Sequence, residues 1–120
     1  MRMTSLELEV RFNKIYSDRS FDISMKQLFN QLTGVDANEW NYSSSSGAYG
    51  YVAHLAIDKN EANSKAVEEY LSDIQYPSEF SGITYEWRYD YYNQHWDCVI
   101  SMERNKGAQT REYDRFRRTL

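Results

Sequence analysis

Residues 83–91 read ITYEWRYDY, and this stretch limits the possible folds more than any other in the chain. Ile83, Tyr85, Trp87, Tyr89 and Tyr91 alternate with Thr84, Glu86, Arg88 and Asp90. Successive side chains of a strand point to opposite faces, so the segment is a strand with one apolar and one charged side. A turn near Asn93-Gln94 returns the chain as WDCVISM, with Trp96, Cys98, Ile100 and Met102 on one face. Pairing Tyr91 with Trp96 sets Tyr89 opposite Cys98, Trp87 opposite Ile100 and Tyr85 opposite Met102, so the apolar faces agree. Two further segments alternate in the same way. In LELEVRF, Leu6, Leu8, Val10 and Phe12 oppose Glu7, Glu9 and Arg11; later, Tyr49, Tyr51, Ala53, Leu55 and Ile57 share one side. Trp40 and Tyr42 form a short strand before them, and Ser43–Ser46 with Gly47 reads as the hairpin loop between. That loop pairs Tyr42 with Tyr49 and Trp40 with Tyr51.

Between the strands the period changes to 3.6. Met25, Leu28, Phe29 and Leu32 lie on one helical face, with Asp22 or Ser24 as the cap and Gly34 as the stop. Ala62, Ala66, Val67, Tyr70, Leu71 and Ile74 mark a second helix capped by Asn60, and YPSEFSG after it is a loop. Tyr113, Phe116 and Leu120 are spaced for a helix at the C-terminus. The order is β-α-β-β-α-β-β-α, and its first six elements are those of a ferredoxin-like split βαβ. The expected class is α+β: an open-faced antiparallel sheet with an added C-terminal strand and a basic terminal helix. The fold implies the strand order 5-4-1-3-2. Residues 1–103 form the single domain and 104–120 the basic tail.

Eleven Tyr, five Phe and three Trp against one Pro in 120 residues describe a chain that packs a core. Cys98 is the only cysteine, so no disulfide forms within the chain and no thiolate zinc cluster is expected. MRMTSLELEV carries charges inside any would-be signal segment, and no apolar run approaches the roughly 20 residues of a membrane helix. A cytoplasmic protein is the expectation. The net charge of −4 is uneven: residues 104–120 hold six basic and two acidic side chains, net +4, which leaves −8 on residues 1–103. An acidic body repels phosphate backbones and attracts basic surfaces.

One segment points the other way. Residues 46–54, SGAYGYVAH, resemble the signature on the third strand of the RNA-recognition module, with Tyr49, Gly50, Tyr51 and Val52 in the family's order. The resemblance implies base stacking on Tyr49 and Tyr51 from an open sheet face, helped by the basic tail. Parity opposes it. If both tyrosines faced outward, Leu55 and Ile57 would follow them while His54 and Asp58 entered the core, at a cost of several kcal/mol. Tyr49 and Tyr51 are therefore read as core or edge-of-core residues, and nucleic acid is only the alternative.

The exposed face then carries Glu7, Glu9, Arg11, His54, Asp58, Glu86, Arg88, Asp90, Asp97, Ser101 and Glu103, with Asp90 and Asp97 opposite each other and Tyr92, His95 and Trp96 at the rim. In the implied strand order His54 and His95 stand three steps apart, about 14 Å, too far to share an ion. His95-x-Asp97 lacks a third ligand, Cys98 falls on the buried side, and no phosphate loop, nucleophile elbow or zinc motif occurs. No catalytic residue, metal or cofactor is expected. The expected function is a small non-catalytic inhibitor, of the toxin-immunity or phage anti-defence type. It would dock Glu7, Glu9, Glu86, Arg88, Asp90, Tyr92, His95, Trp96 and Asp97 on the basic cleft of a protein partner such as a nuclease. It would act as a monomer or homodimer, without a membrane.

Overall fold

The computed structural model describes residues 13–118, with side chains through 115. The LELEVRF strand, with Glu7, Glu9 and Arg11, therefore lies outside the described residues, as does Leu120. Helix α1 spans Asp18–Thr33. It is opened by a reciprocal capping box, in which the Ser20 N–H donates to Ser17 Oγ at 3.2 Å and the Ser17 N–H to Ser20 Oγ at 3.0 Å. The helix thus starts a turn earlier than the expected caps, and Asp22 and Ser24 are inside it. Phe21, Met25, Leu28 and Phe29 are its buried stripe, and Gly34 ends it in the left-handed region at φ 72°. Helix α2, Glu61–Ser72, has the expected cap: Asn60 Oδ1 accepts from the Asn63 N–H at 2.8 Å. Val67, Leu71 and Ile74 are buried, whereas Ala62 faces solvent.

The strands are β1 Tyr42–Gly47, β2 Gly50–Ala56, β3 Phe80–Asp90 and β4 His95–Arg104. Both hairpins differ in register from the sequence reading. In the first, Gly47 pairs with Gly50 and Tyr42 with Leu55, so the serine run is strand and the turn is Ala48-Tyr49. A register with many more ladder bonds replaces a long loop, and the inward Ser44 hydroxyl finds a partner in Asp22 at 2.8 Å. Trp40 is not in the strand. Asn38 and Asn41 fold residues 38–41 into a turn, with the Trp40 N–H donating to Asn38 Oδ1 at 2.8 Å, and Trp40 is 85% exposed. In the second hairpin Trp96 pairs with Tyr89, two residues from the expected Tyr91, and Arg88, not Asp90, stands opposite Asp97. Here the turn decides: Asp90 accepts from the Tyr92 and Asn93 N–H groups at 2.9 and 3.1 Å and fixes residues 91–94 as the loop. Phe80, expected in a loop, is buried at the start of β3.

Both slips are even, so every strand keeps its faces. The four strands form an antiparallel sheet in the order β1-β2-β4-β3. The order 5-4-1-3-2 is not found: the last strand lies between β2 and β3, where that order places the first. What stands is an α+β architecture, with α1 and α2 on one sheet face. Tyr51, Ala53, Leu55, Cys98, Ile100 and Met102 meet Phe21, Leu28 and Val67 there, with Phe21 and Phe80 rings 5.4 and 5.2 Å from Tyr51. Trp87 Nε1 donates to Ser64 at 3.0 Å and the Tyr70 hydroxyl to the Ser24 carbonyl at 3.0 Å, tying α2 to β3 and to α1. Cys98 is buried, and burial pushes its thiol up to about 12, as expected for a packing residue. The C-terminal helix α3, Lys106–Arg118, begins where Asn105 Oδ1 accepts from the Ala108 N–H at 3.0 Å, and it anchors on buried Ala108. Among the described residues no helix is long and apolar enough to cross a membrane.

Candidate functional site

The parity argument holds for Tyr51 and fails for Tyr49. Tyr51 is 7% exposed in the core, whereas Tyr49, at the hairpin turn, is 71% exposed. A turn residue escapes the alternation of the strands it joins. The glycine of the signature-like stretch has a local explanation: Gly50 sits at φ 140°, and a Cβ there would collide with the Met102 carbonyl oxygen. With Tyr51 under the helices, the two signature rings cannot stack bases side by side.

The face away from the helices carries Val52 and Val99 along with the charged residues, and its most developed feature lies at the β3–β4 turn. There Asp90, His95 and Asp97 converge: His95 Nδ1 is 3.2 Å from Asp97 Oδ1 and Nε2 is 3.8 Å from Asp90 Oδ2. The two-residue slip creates this group by placing Asp90 across from His95. The environments of the two carboxyls differ. Hydrogen bonds from the Asn93 side chain and backbone, then from Tyr92, outweigh desolvation and hold Asp90 below the usual carboxylate range. Burial pushes Asp97 up and Asp90 adds to this, while His95 and His54 pull the other way.

The three residues form one wall of a cleft of about 250 Å³ that Glu39, Trp40 and His54 complete. His54 is one strand from His95, not three, because β2 and β4 are neighbours; both histidines line this cleft. Trp40 stands 85% exposed at its edge, and Tyr91 and Tyr92, 85% and 97% exposed, form the adjoining turn. Of the residues expected at the docking surface, Asp90, His95 and Asp97 are brought together, and Tyr92 touches them only through its backbone N–H on Asp90. Glu86 and Arg88 lie further along β3 and pair with each other. Trp96 belongs to the opposite face, half-buried beneath the Lys59 ammonium at 4.6 Å and edge-on to Tyr89. Trp40 and Glu39 were missed, although NEWN, with asparagines on both sides, is a turn signal that would have presented them.

A second cleft, about 730 Å³, lies at the other end of β4. Tyr49, Tyr113, Arg104 and Arg115 line it together with Asp18, Glu79 and Glu112. The Arg104 guanidinium lies 5.2 Å from the centres of both the Tyr51 and Phe80 rings and donates to the Gly47 carbonyl at 2.5 Å. It acts as a clamp between the first hairpin and β4.

Comparison with family models, with curated proteins and with solved structures finds no match. The described residues define an α+β protein with a four-stranded antiparallel open sheet and three helices.

Proposed function

We propose that this protein is a small non-catalytic inhibitor, of the immunity or anti-defence kind. It occupies the basic cleft of a nucleic-acid-acting protein with its own acidic cleft and aromatic rim. One observation carries the reading. Trp40, 85% exposed, lines the cleft where Glu39, Asp90 and Asp97 concentrate negative charge, and the exposed Tyr92 sits in the turn that Asp90 holds. Solvent-facing aromatics beside like charges are costly to leave idle and are typical anchors of a docking surface. Carboxylates around them draw a cationic partner and speed its approach. The test is capture of the partner from a lysate of the source organism, followed by kinetics. The captured protein should be basic and lose nuclease activity on binding, and Glu86→Lys, Asp90→Lys and Asp97→Lys combined should slow association about tenfold or more at low salt. Unchanged rate and salt dependence in the triple variant would exclude this surface.

Tyr49 favours a second reading. It is exposed in the cleft beside Arg104 and Arg115, next to the basic helix α3. Nucleic acid bound there would show a steep fall of affinity with salt in a gel-shift titration, lost in Tyr49→Ala.

A further inference from the structure

We propose that Asp90, His95 and Asp97 form a binding site for a zinc-class divalent cation. The three residues come from the end of β3 and the start of β4, and one ligand atom from each lies within 4.8 Å of the other two. The separation of His95 Nδ1 and Asp97 Oδ1, 3.2 Å, is close to the about 3.3 Å between two ligands of a tetrahedral ion with bonds of about 2.0–2.1 Å. Asp90 is held beside the same imidazole by its turn hydrogen bonds, and from within 4.8 Å its carboxylate closes on the ion by a side-chain adjustment.

Charge accounting gives a separate argument. Glu39, Asp90 and Asp97 put three carboxylates around one cleft. Arg88 is the register partner of Asp97, yet its guanidinium turns to Glu86. Lys59, just after β2, lies over Trp96 on the helix face. Among the described residues, the only ion-pair partner of Asp90 and Asp97 is His95. The side chains are half-enclosed, Asp97 only 18% exposed, so water screens them poorly. A dication would settle this excess. An imidazole with two carboxylates suits zinc and its neighbours better than magnesium or calcium, which take more oxygen ligands. Three protein ligands leave a fourth position for water or for a group bound in the cleft.

The site goes beyond the inhibitor reading and is tested on the isolated full chain, so its outcome is independent of any partner. Zinc chloride is titrated against a chromophoric chelator in a non-coordinating buffer, with magnesium and calcium in parallel. One equivalent of zinc should bind, and His95→Ala and Asp97→Asn should each weaken it by at least the about 10–100-fold that even an outer-shell change costs a metal site. His54→Ala should leave a three-ligand site bound. Because Asp90→Asn keeps an acceptor for the turn, it separates loss of the ligand from loss of the loop; thermal melts verify that each variant is folded. Binding that survives His95→Ala, or that needs His54 and not His95, overturns the proposal, as does affinity no better for zinc than for magnesium.

Discussion

Replacing Asp22 by alanine should cost about 2 kcal/mol, and most of that cost should disappear in acid. The Asp22 carboxylate accepts from the Tyr42 hydroxyl at 2.8 Å, from Ser44 Oγ at 2.8 Å and from Lys26 Nζ at 3.0 Å. These bonds fasten α1 to the edge strand β1. A hydrogen bond to a charged group contributes about 1.5–3 kcal/mol when shielded. The Tyr42 bond is the shielded one, because Tyr42 is only 8% exposed, and it takes about 1.5 kcal/mol. Ser44 is exposed, and the half-exposed Lys26 pair is an i,i+4 helix contact, so together they add about 1 kcal/mol. Alanine's better helix propensity returns about 0.5 kcal/mol. With an unfolding entropy scaled to 120 residues, a net loss of about 2 kcal/mol lowers Tm by roughly 8 °C. Burial alone would raise the pKa of Asp22, but the bonds from Ser44, Lys26 and Tyr42 outweigh it and hold the value below 3.8. A depressed folded pKa means that the stabilisation is complete above the unfolded value and is lost as pH falls through the folded one. Circular-dichroism melts of wild type and Asp22→Ala should therefore differ by roughly 8 °C from pH 7 to about 5 and converge towards pH 2. A gap that does not change with pH, or one below about 2 °C at pH 7, would refute the argument.

Two other outcomes follow from the hairpins and the core. Tyr51→Ala should cost about 3–5 kcal/mol in urea unfolding, whereas Tyr49→Ala should stay within about 0.5 kcal/mol of wild type, since one ring is core and the other lies at a turn. Cys98, buried with its thiol at about 12, should resist an aromatic disulfide reagent at pH 8 until the chain is unfolded in guanidinium; stoichiometric labelling of the native protein within minutes would contradict its placement.

Alternation in the sequence revealed which residues face the helices, because it depends only on parity. It could not reveal register. Tyr42 pairs with Leu55 where Tyr49 was expected, and Trp96 with Tyr89 where Tyr91 was expected. Both shifts are even, and an even slip leaves every apolar side chain on its own face. The choice fell to turn chemistry: Asp90 gathering the amides of its loop, and an Ala48-Tyr49 turn that needed no serine loop. The strand order was similarly beyond reach, because it came from a fold analogy and not from residues. Its error carried into the site, setting two histidines three strands apart that line one cleft. Trp40 was hidden by its own aromaticity, which reads as strand, while the flanking asparagines built the turn that exposes it. The Asp90–His95–Asp97 group was half legible as His95-x-Asp97; its third member depended on register.

Among the described strands β4 is the last to leave the ribosome, and it is one of the two inner strands of the sheet. Until residues 95–104 are synthesised, no ladder among the described strands joins the β1–β2 hairpin to β3, and the two share only side-chain contacts such as Tyr51 with Phe80 and the cover of the helices. Assembly of the sheet is therefore a late event that joins distant parts of the chain in one step. A nascent chain stopped before His95 holds both helices α1 and α2 and the first hairpin but lacks the ladder that joins that hairpin to β3.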